Sequence, residues 1–252
     1  MISVYPDIET NYALNVSRGR ISGAEVFTAY GEKTTTGADS GVLWPNGAFV
    51  FPAAAGVQMS VVSTSANDTA AGTGIRTIDI HYLDANLAPM TETVTMNGTT
   101  PVLTVATNIR FIQCMHMATF GSGKSAAGNI TASNGGNTHS YVATGDVRCS
   151  SSVRMVPAGK RLIVADIFGG ATDATSSANA IIRAATPTFD MHDFTSSSIF
   201  VPTAAAAFQN GSAGLKLLCP ITFTAGQSFG LTFNVDKAAT VVGSWFGWLE
   251  NA

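Results

Sequence analysis

Residues Ile75–Thr100 read IRTIDIHYLDANLAPMTETVTMNGTT. Ile78, Ile80 and Tyr82 alternate with Thr77, Asp79 and His81. That period of two belongs to a half-buried β-strand. Asp84-Ala85-Asn86 has the chemistry of a turn. A second alternating run follows, with Val94 and Met96 set against Thr93 and Thr95. Asn97-Gly98 then supplies the two positive-φ positions of a type I′ turn, so a hairpin is expected there. Strands and turns with no intervening amphipathic helix make the class all-β.

The pattern extends in both directions. Val57–Ser63 reads as a strand after the break FPAAAG, and STSANDTAAGTG as a loop of small polar residues. NIRFIQCMHMATF is apolar on both faces in part, which suits a central strand. Further strands are expected at GNITAS, at Arg161–Phe168 and at AIIRAATPTF. PTAAAAFQNG (Pro202–Gly211) has Pro at its start and Gly at its end, the marks of one short helix. FPAAAGVQMSVV and VPAGKRLIVADI echo each other weakly. The expectation is an antiparallel, jelly-roll-like β-sandwich fold in two similar halves. Residues 1–46 would form an extended arm or loops, 47–135 the first sandwich and 136–252 the second.

Only 12% of the residues are charged, about half the usual share. Such a surface suits contact with other subunits. The net charge is −3 with no basic run, which argues against a nucleic-acid footprint. The N-terminus has neither a basic nor an apolar signal region, and no segment approaches a membrane span. The cysteines, Cys114, Cys149 and Cys219, are odd in number and widely spaced. They read as free thiols rather than a disulfide framework.

Chemistry-bearing motifs are sparse. GSGKS (Gly121–Ser125) looks like the end of a P-loop, but the first glycine of that motif would fall at Ala118. The motif also needs a following helix, and AAGNITASNGGN has two glycine breaks and β-type residues. Lys124 is therefore expected to be solvated at a hairpin tip or against a neighbouring subunit, and its truncation to Ala to leave the fold intact. Carboxylates that a fold could pair are Asp79, Asp84, Glu92, Asp166, Asp190 and Asp193. Asp79 reads as exposed. Asp166 shares strand parity with Leu162, Val164 and Phe168 and could point inward. Asp190-Met191-His192-Asp193 is a polar loop. Cys114 and His116 are a single pair, too few for a metal. No catalytic, cofactor or metal residue is assigned. Tyr82 or Tyr141 could give an aromatic platform for a glycan. Trp245, Phe246 and Trp248 belong to a final strand, buried in the sandwich or at a subunit contact.

The segment Ser60–Val102 resembles a group of tailed-bacteriophage virion structural proteins. The shared elements are SANDTAAGTG, LDAN, TETVT and NGTTPV, with Met96 where leucine is usual. AGNIT (Ala127–Thr131) and VPAGK (Val156–Lys160) follow in the same order. The likeness covers roughly Gly47 to Asp166. It implies a non-enzymatic virion component, a capsid decoration or cement protein or a neck or tail accessory. Its partners would be other virion proteins, its state a symmetric homo-oligomer such as a trimer, and its location the virion, after assembly in the host bacterial cytoplasm. It implies no cofactor. A receptor- or glycan-binding tail protein is the alternative.

Overall fold

The computed structural model describes residues 12–172, 178–187, 200–209 and 211–252. The chain is all-β; among the described residues the pairing is antiparallel throughout and there is one short helix, α1 (Tyr12–Ser17). Its strands are β1 (Glu25–Thr34), β2 (Asp39–Val42), β3 (Ser60–Ser63), β4 (Ile75–Asp84), β5 (Pro89–Thr95), β6 (Val102–Leu103), β7 (Ile109–Phe120) and β8 (Ile130–Asn134). They continue with β9 (Asn137–Val142), β10 (Arg154–Met155), β11 (Lys160–Thr172), β12 (Asn179–Pro187), β13 (Phe200–Gln209), β14 (Gly211–Thr224), β15 (Ser228–Val235) and β16 (Thr240–Asn251).

Two sandwiches result. In the larger, one sheet has the order β1-β16-β11-β14 and the other β2-β15-β12-β13, with β10 also on β15. Set β10 aside and number the remaining strands along the chain. One sheet then holds the first, eighth, third and sixth, and its partner the second, seventh, fourth and fifth. That interleaving is an eight-stranded jelly roll. Its two inner faces meet over Leu162, Val164, Phe229, Leu231, Phe233, Val241 and Trp245, all buried. Each such side chain contributes about 1.5–3 kcal/mol.

The smaller sandwich sets β6-β3-β8-β9 against β5-β4-β7. Ile78, Ile80 and Tyr82 fill its core, as the alternation predicts, with Val61, Val94, Met115 and Ile130. A third cluster joins the two bodies: Val42, Trp44, Phe49, Phe51, Leu83, Phe111, Val153 and Met155.

The join lies within a strand. β2 pairs with Thr232–Val235 of β15, and Leu43 N–H still donates to Leu231 O at 2.8 Å. The chain then leaves. It returns at Ser152, whose N–H donates to Leu43 O at 3.1 Å and whose Oγ bonds Leu231 N and O. β10 continues along the same edge of β15, at Phe229 and Ser228. The smaller sandwich is thus spliced into the second strand of the jelly roll. The sheet boundaries therefore fall near residues 43 and 152 rather than 46 and 135. Residues 25–43 are no arm: β1 lies flush against β16 over its whole length.

Other expectations are corrected. Asn97-Gly98 makes no hairpin, because β5 pairs with β4 and β6 with β3 in the opposite sheet. Gly98 has φ 59° while Asn97 keeps a negative φ. Gly98 N–H donates to Asp68 O at 2.7 Å and Gly98 O accepts from Ser63 N at 3.0 Å, so the turn is tied to the preceding loop. Residues 200–209 are strand β13, not helix. Pairing with β12, interrupted by a register shift between Ala184 and Ala185, overrides the helix preference of the alanines. Cys114 and Cys149 form a disulfide with Cα atoms 5.7 Å apart. Among the described residues no helix is long and apolar enough to cross a membrane.

Candidate functional site

Asp68 explains the small-residue loop. It is fully buried. Its Oδ1 accepts from Ile75 N at 2.7 Å and Ala127 N at 3.0 Å, and its Oδ2 from Ser63 Oγ at 2.6 Å and Gly128 N at 2.9 Å. One carboxylate thereby holds the SANDTAAGTG loop, β4 and the AAGN segment together. Its role is architectural.

The GSGKS stretch connects β7 to β8, as expected, but the two strands lie in different sheets, so it is no hairpin tip. Gly121 N–H donates to Gly74 O and Gly123 N–H to Thr73 O. These donors are spent on the neighbouring loop, and a strand rather than a helix follows. Lys124 is exposed at φ 58°.

The candidate carboxylates among the described residues do not converge. Asp84 Oδ1 accepts from Asn86 N and Ala88 N at 2.8 and 2.9 Å, closing the DANL turn. Glu92 accepts from Val105 N at 2.6 Å and Ala106 N at 3.0 Å. Asp79 accepts from Thr93 Oγ1 at 2.5 Å and lies 3.6 Å from His116 Nε2. His116 Nδ1 and His81 Nε2 share a hydrogen bond at 3.1 Å, with the rings stacked. His81 Nδ1 in turn meets Thr91 Oγ1 at 2.9 Å. This relay lies on the outer face of the β5-β4-β7 sheet. Among the described residues no serine or cysteine is hydrogen-bonded to either imidazole. No group of three or more His, Cys, Asp or Glu is placed to hold a metal there. Asp190, His192 and Asp193 lie outside the described residues.

Asp166 differs from its expected setting. A β-bulge between Val164 and Asp166 shifts the parity of β11. Ile167 therefore enters the core and Asp166 joins Phe168 on the outer face. The tyrosine candidates also fail: Tyr82 is in the core and Tyr141 packs on the joining cluster. Trp245 and Trp248 are buried, and Trp245 Nε1 donates to Ser152 O at 2.7 Å across the splice.

The structure assembles a groove that no motif announced. One cavity of about 510 Å³ is bordered by Thr28, Cys114, His116, Val147, Arg148 and Arg154. A second, about 530 Å³, is bordered by Tyr30, Asp166, Phe168, Ser244 and Phe246, and shares Thr28 and Arg148 with the first. Together they run along the seam between the inserted sandwich and the outer face of the jelly roll. Arg154 is buried, with Nη1 donating to Ser151 O at 3.0 Å and Val153 O at 2.7 Å. Burial, then the neighbouring Arg148, hold its pKa down to about 10. Tyr30 donates to Glu32 at 2.5 Å, and burial first, then that carboxylate, raise its phenol.

Solved virus particles are among the structures the chain is similar to, and the likeness is remote. The T13 particle of IBDV aligns at TM-score 0.17 and 10% identity, over 91% of this chain and 73% of that one. The infectious bursal disease virus Gx strain aligns at TM-score 0.18 and 9% identity, with the same coverage. Scores so low carry no argument about fold or function. No family model and no curated protein matches the chain.

Proposed function

We infer that this chain is a non-enzymatic structural component of a tailed-bacteriophage virion, a capsid decoration or cement protein or a neck or tail accessory. The observation that carries the reading is the eight-stranded jelly roll, an architecture recurrent in capsid and lectin domains. A fold alone does not fix a function. The resemblance of Ser60–Val102 to phage virion proteins supports a virion role over a lectin one. The elements that carry the resemblance have structural duties: Asp68 ties the SANDTAAGTG loop, and Asp84 closes the LDAN turn.

The mechanism is adhesion by repeated weak contacts, which multivalency makes firm. The insert offers a surface for it: Met90, Leu103 and Val105 are exposed apolar residues at 48%, 61% and 87%. Assembly as a symmetric homo-oligomer such as a trimer follows the same logic. The test is quantitative mass spectrometry of purified particles. A copy number matching the capsid lattice places the chain on the head, and one matching the single tail assembly places it at the neck or tail. Absence from the particle overturns the reading.

A further inference from the structure

A buried guanidinium is costly unless its charge is met by an anion. Arg154 is 6% exposed, and only its Nη1 is hydrogen-bonded among the described residues, to two main-chain carbonyls. Among the described ion pairs none involves Arg154 or Arg148. Both instead border the same cavity. The free Nε–Nη2 edge of Arg154 is a planar fork, the geometry that takes both oxygens of a carboxylate. Its lowered pKa leaves it charged at neutral pH, with a second cation beside it and no carboxylate paired with either among the described residues.

The Arg154 guanidinium and the main chain that carries Arg148 are held in place before any ligand arrives. Arg154 belongs to the resumed strand of the splice. Arg148 is pinned beside β7 by a bridge to His116, by Met117 N–H to Val147 O and Cys149 N–H to Met115 O, each at 2.8 Å, and by the Cys114–Cys149 disulfide. Such preorganisation lowers the entropic cost of binding. His116 borders the cavity, but His81 and Asp79 already occupy its ring nitrogens.

The groove is also larger than a bare anion requires. Beyond Arg148 it continues past the rings of Tyr30, Phe168 and Phe246, with the Ser244 hydroxyl and the Asp166 carboxylate between them. Phe168 is 49% exposed. Aromatic faces with interspersed hydroxyl partners, in a cleft of this volume, suit a small ring that is apolar on its faces and polar at its rim. We propose that the groove binds a carboxylate-bearing sugar, its carboxylate seated on Arg154 and Arg148 and its ring on Phe168 and Phe246. This goes beyond the virion assignment and does not depend on it.

The test is calorimetric titration of the whole chain with glucuronate, its methyl ester, glucose and inorganic phosphate. Glucuronate should bind, and the ester and glucose about tenfold more weakly or worse, since each lacks the charge. Arg148→Ala should weaken glucuronate about tenfold while leaving Tm unchanged, because that side chain is exposed and bonds nothing among the described residues. Arg154→Lys keeps the charge, loses the fork, and should also weaken binding. Phe168→Ala should weaken glucuronate without altering the fold. Equal affinity for glucose and glucuronate overturns the proposal, as does an Arg148→Ala protein that binds normally. Phosphate binding as tightly as glucuronate, with Phe168→Ala silent, reduces the groove to a simple anion site and overturns the sugar. None of these outcomes touches the copy number that tests the virion reading.

Discussion

Asp68 shows how one side chain can decide a whole loop. Four donors converge on its carboxylate, two on each oxygen, and no solvent reaches it. In Asp68→Asn one oxygen becomes an NH2 group. Placed at Oδ2 it can donate to the Ser63 hydroxyl, but it faces the Gly128 N–H with a hydrogen bond replaced by repulsion, and the charge that strengthened all four bonds is gone. The expected loss is about 3 kcal/mol, a Tm fall on the order of 10 °C for a chain of this size, read by thermal unfolding. Two histidines make a separate prediction about pH. Burial lowers the pKa of His139, against the opposing hydrogen bond from its Nδ1 to Val50 O at 2.8 Å. Burial also lowers His81, with His116 adding to the effect and Asp79 opposing it. A folded state with depressed imidazole pKa values binds protons less readily than the unfolded chain. The stability these groups contribute is therefore full above the ordinary imidazole value, about 6.5, and is lost as pH falls through it toward the folded values. Tm should be flat above neutrality and decline on acidification from about pH 6.5. His139→Gln, which keeps a donor for Val50 O and cannot titrate, should make that decline shallower. An unchanged decline would remove His139 from the account.

At the scale of elements, local pattern and long-range pairing part company. The alternation of Ile78, Ile80 and Tyr82, the DANL turn and the Gly/Ser-rich connection after Phe120 were legible because each is set by neighbours in sequence. The echo between halves also has a local cause. Gly56 and Gly159 each take positive φ in a turn just before a strand, so the echo is shared turn chemistry rather than a duplicated fold. What was not legible is non-local. Nothing near residues 25–43 announces partners two hundred residues away in β15 and β16. The bulge that turns Asp166 outward is set by pairing with β14 and β16. The groove inherits this opacity, since Arg148, Arg154 and Phe168 come from an exit loop, a resumed strand and a bulged one. The splice makes its own demand on β1. A Cβ on Gly31 would collide with the Leu43 carbonyl and with Ser152, the two sides of the break. Neither can retreat without losing the Ser152–Leu43 and Ser152–Leu231 hydrogen bonds. Gly31→Ala should cost about 2 kcal/mol, with the loss seen in denaturant unfolding. A control at Gly37, where an added Cβ meets nothing within 4 Å, should be near neutral.

The whole molecule is a jelly roll that carries a second sandwich inside one of its strands, and this arrangement predicts which body can stand alone. Leu43 O and Ser152 N are 3.1 Å apart, so the cut ends of the interrupted strand already touch. The jelly-roll core draws on residues 29–43 and 156–249 and uses nothing from the insert. Replacing residues 44–151 with a short Gly/Ser linker therefore closes a loop of little entropy and leaves that core intact. What is lost is the joining cluster: Val42, Val153 and Met155 would be stripped of Trp44, Phe49, Phe51, Leu83 and Phe111. That exposes apolar area on one face and should lower stability without abolishing the fold. The shortened chain should give a β-type circular dichroism spectrum and a cooperative thermal transition below that of the full chain. It should bind glucuronate no better than the Arg148→Ala protein does, because Arg148 leaves with the insert. A disordered product would mean that the insert is part of the jelly roll's folding unit rather than a guest in it. That outcome would move the functional boundary of the protein from the splice to the whole chain.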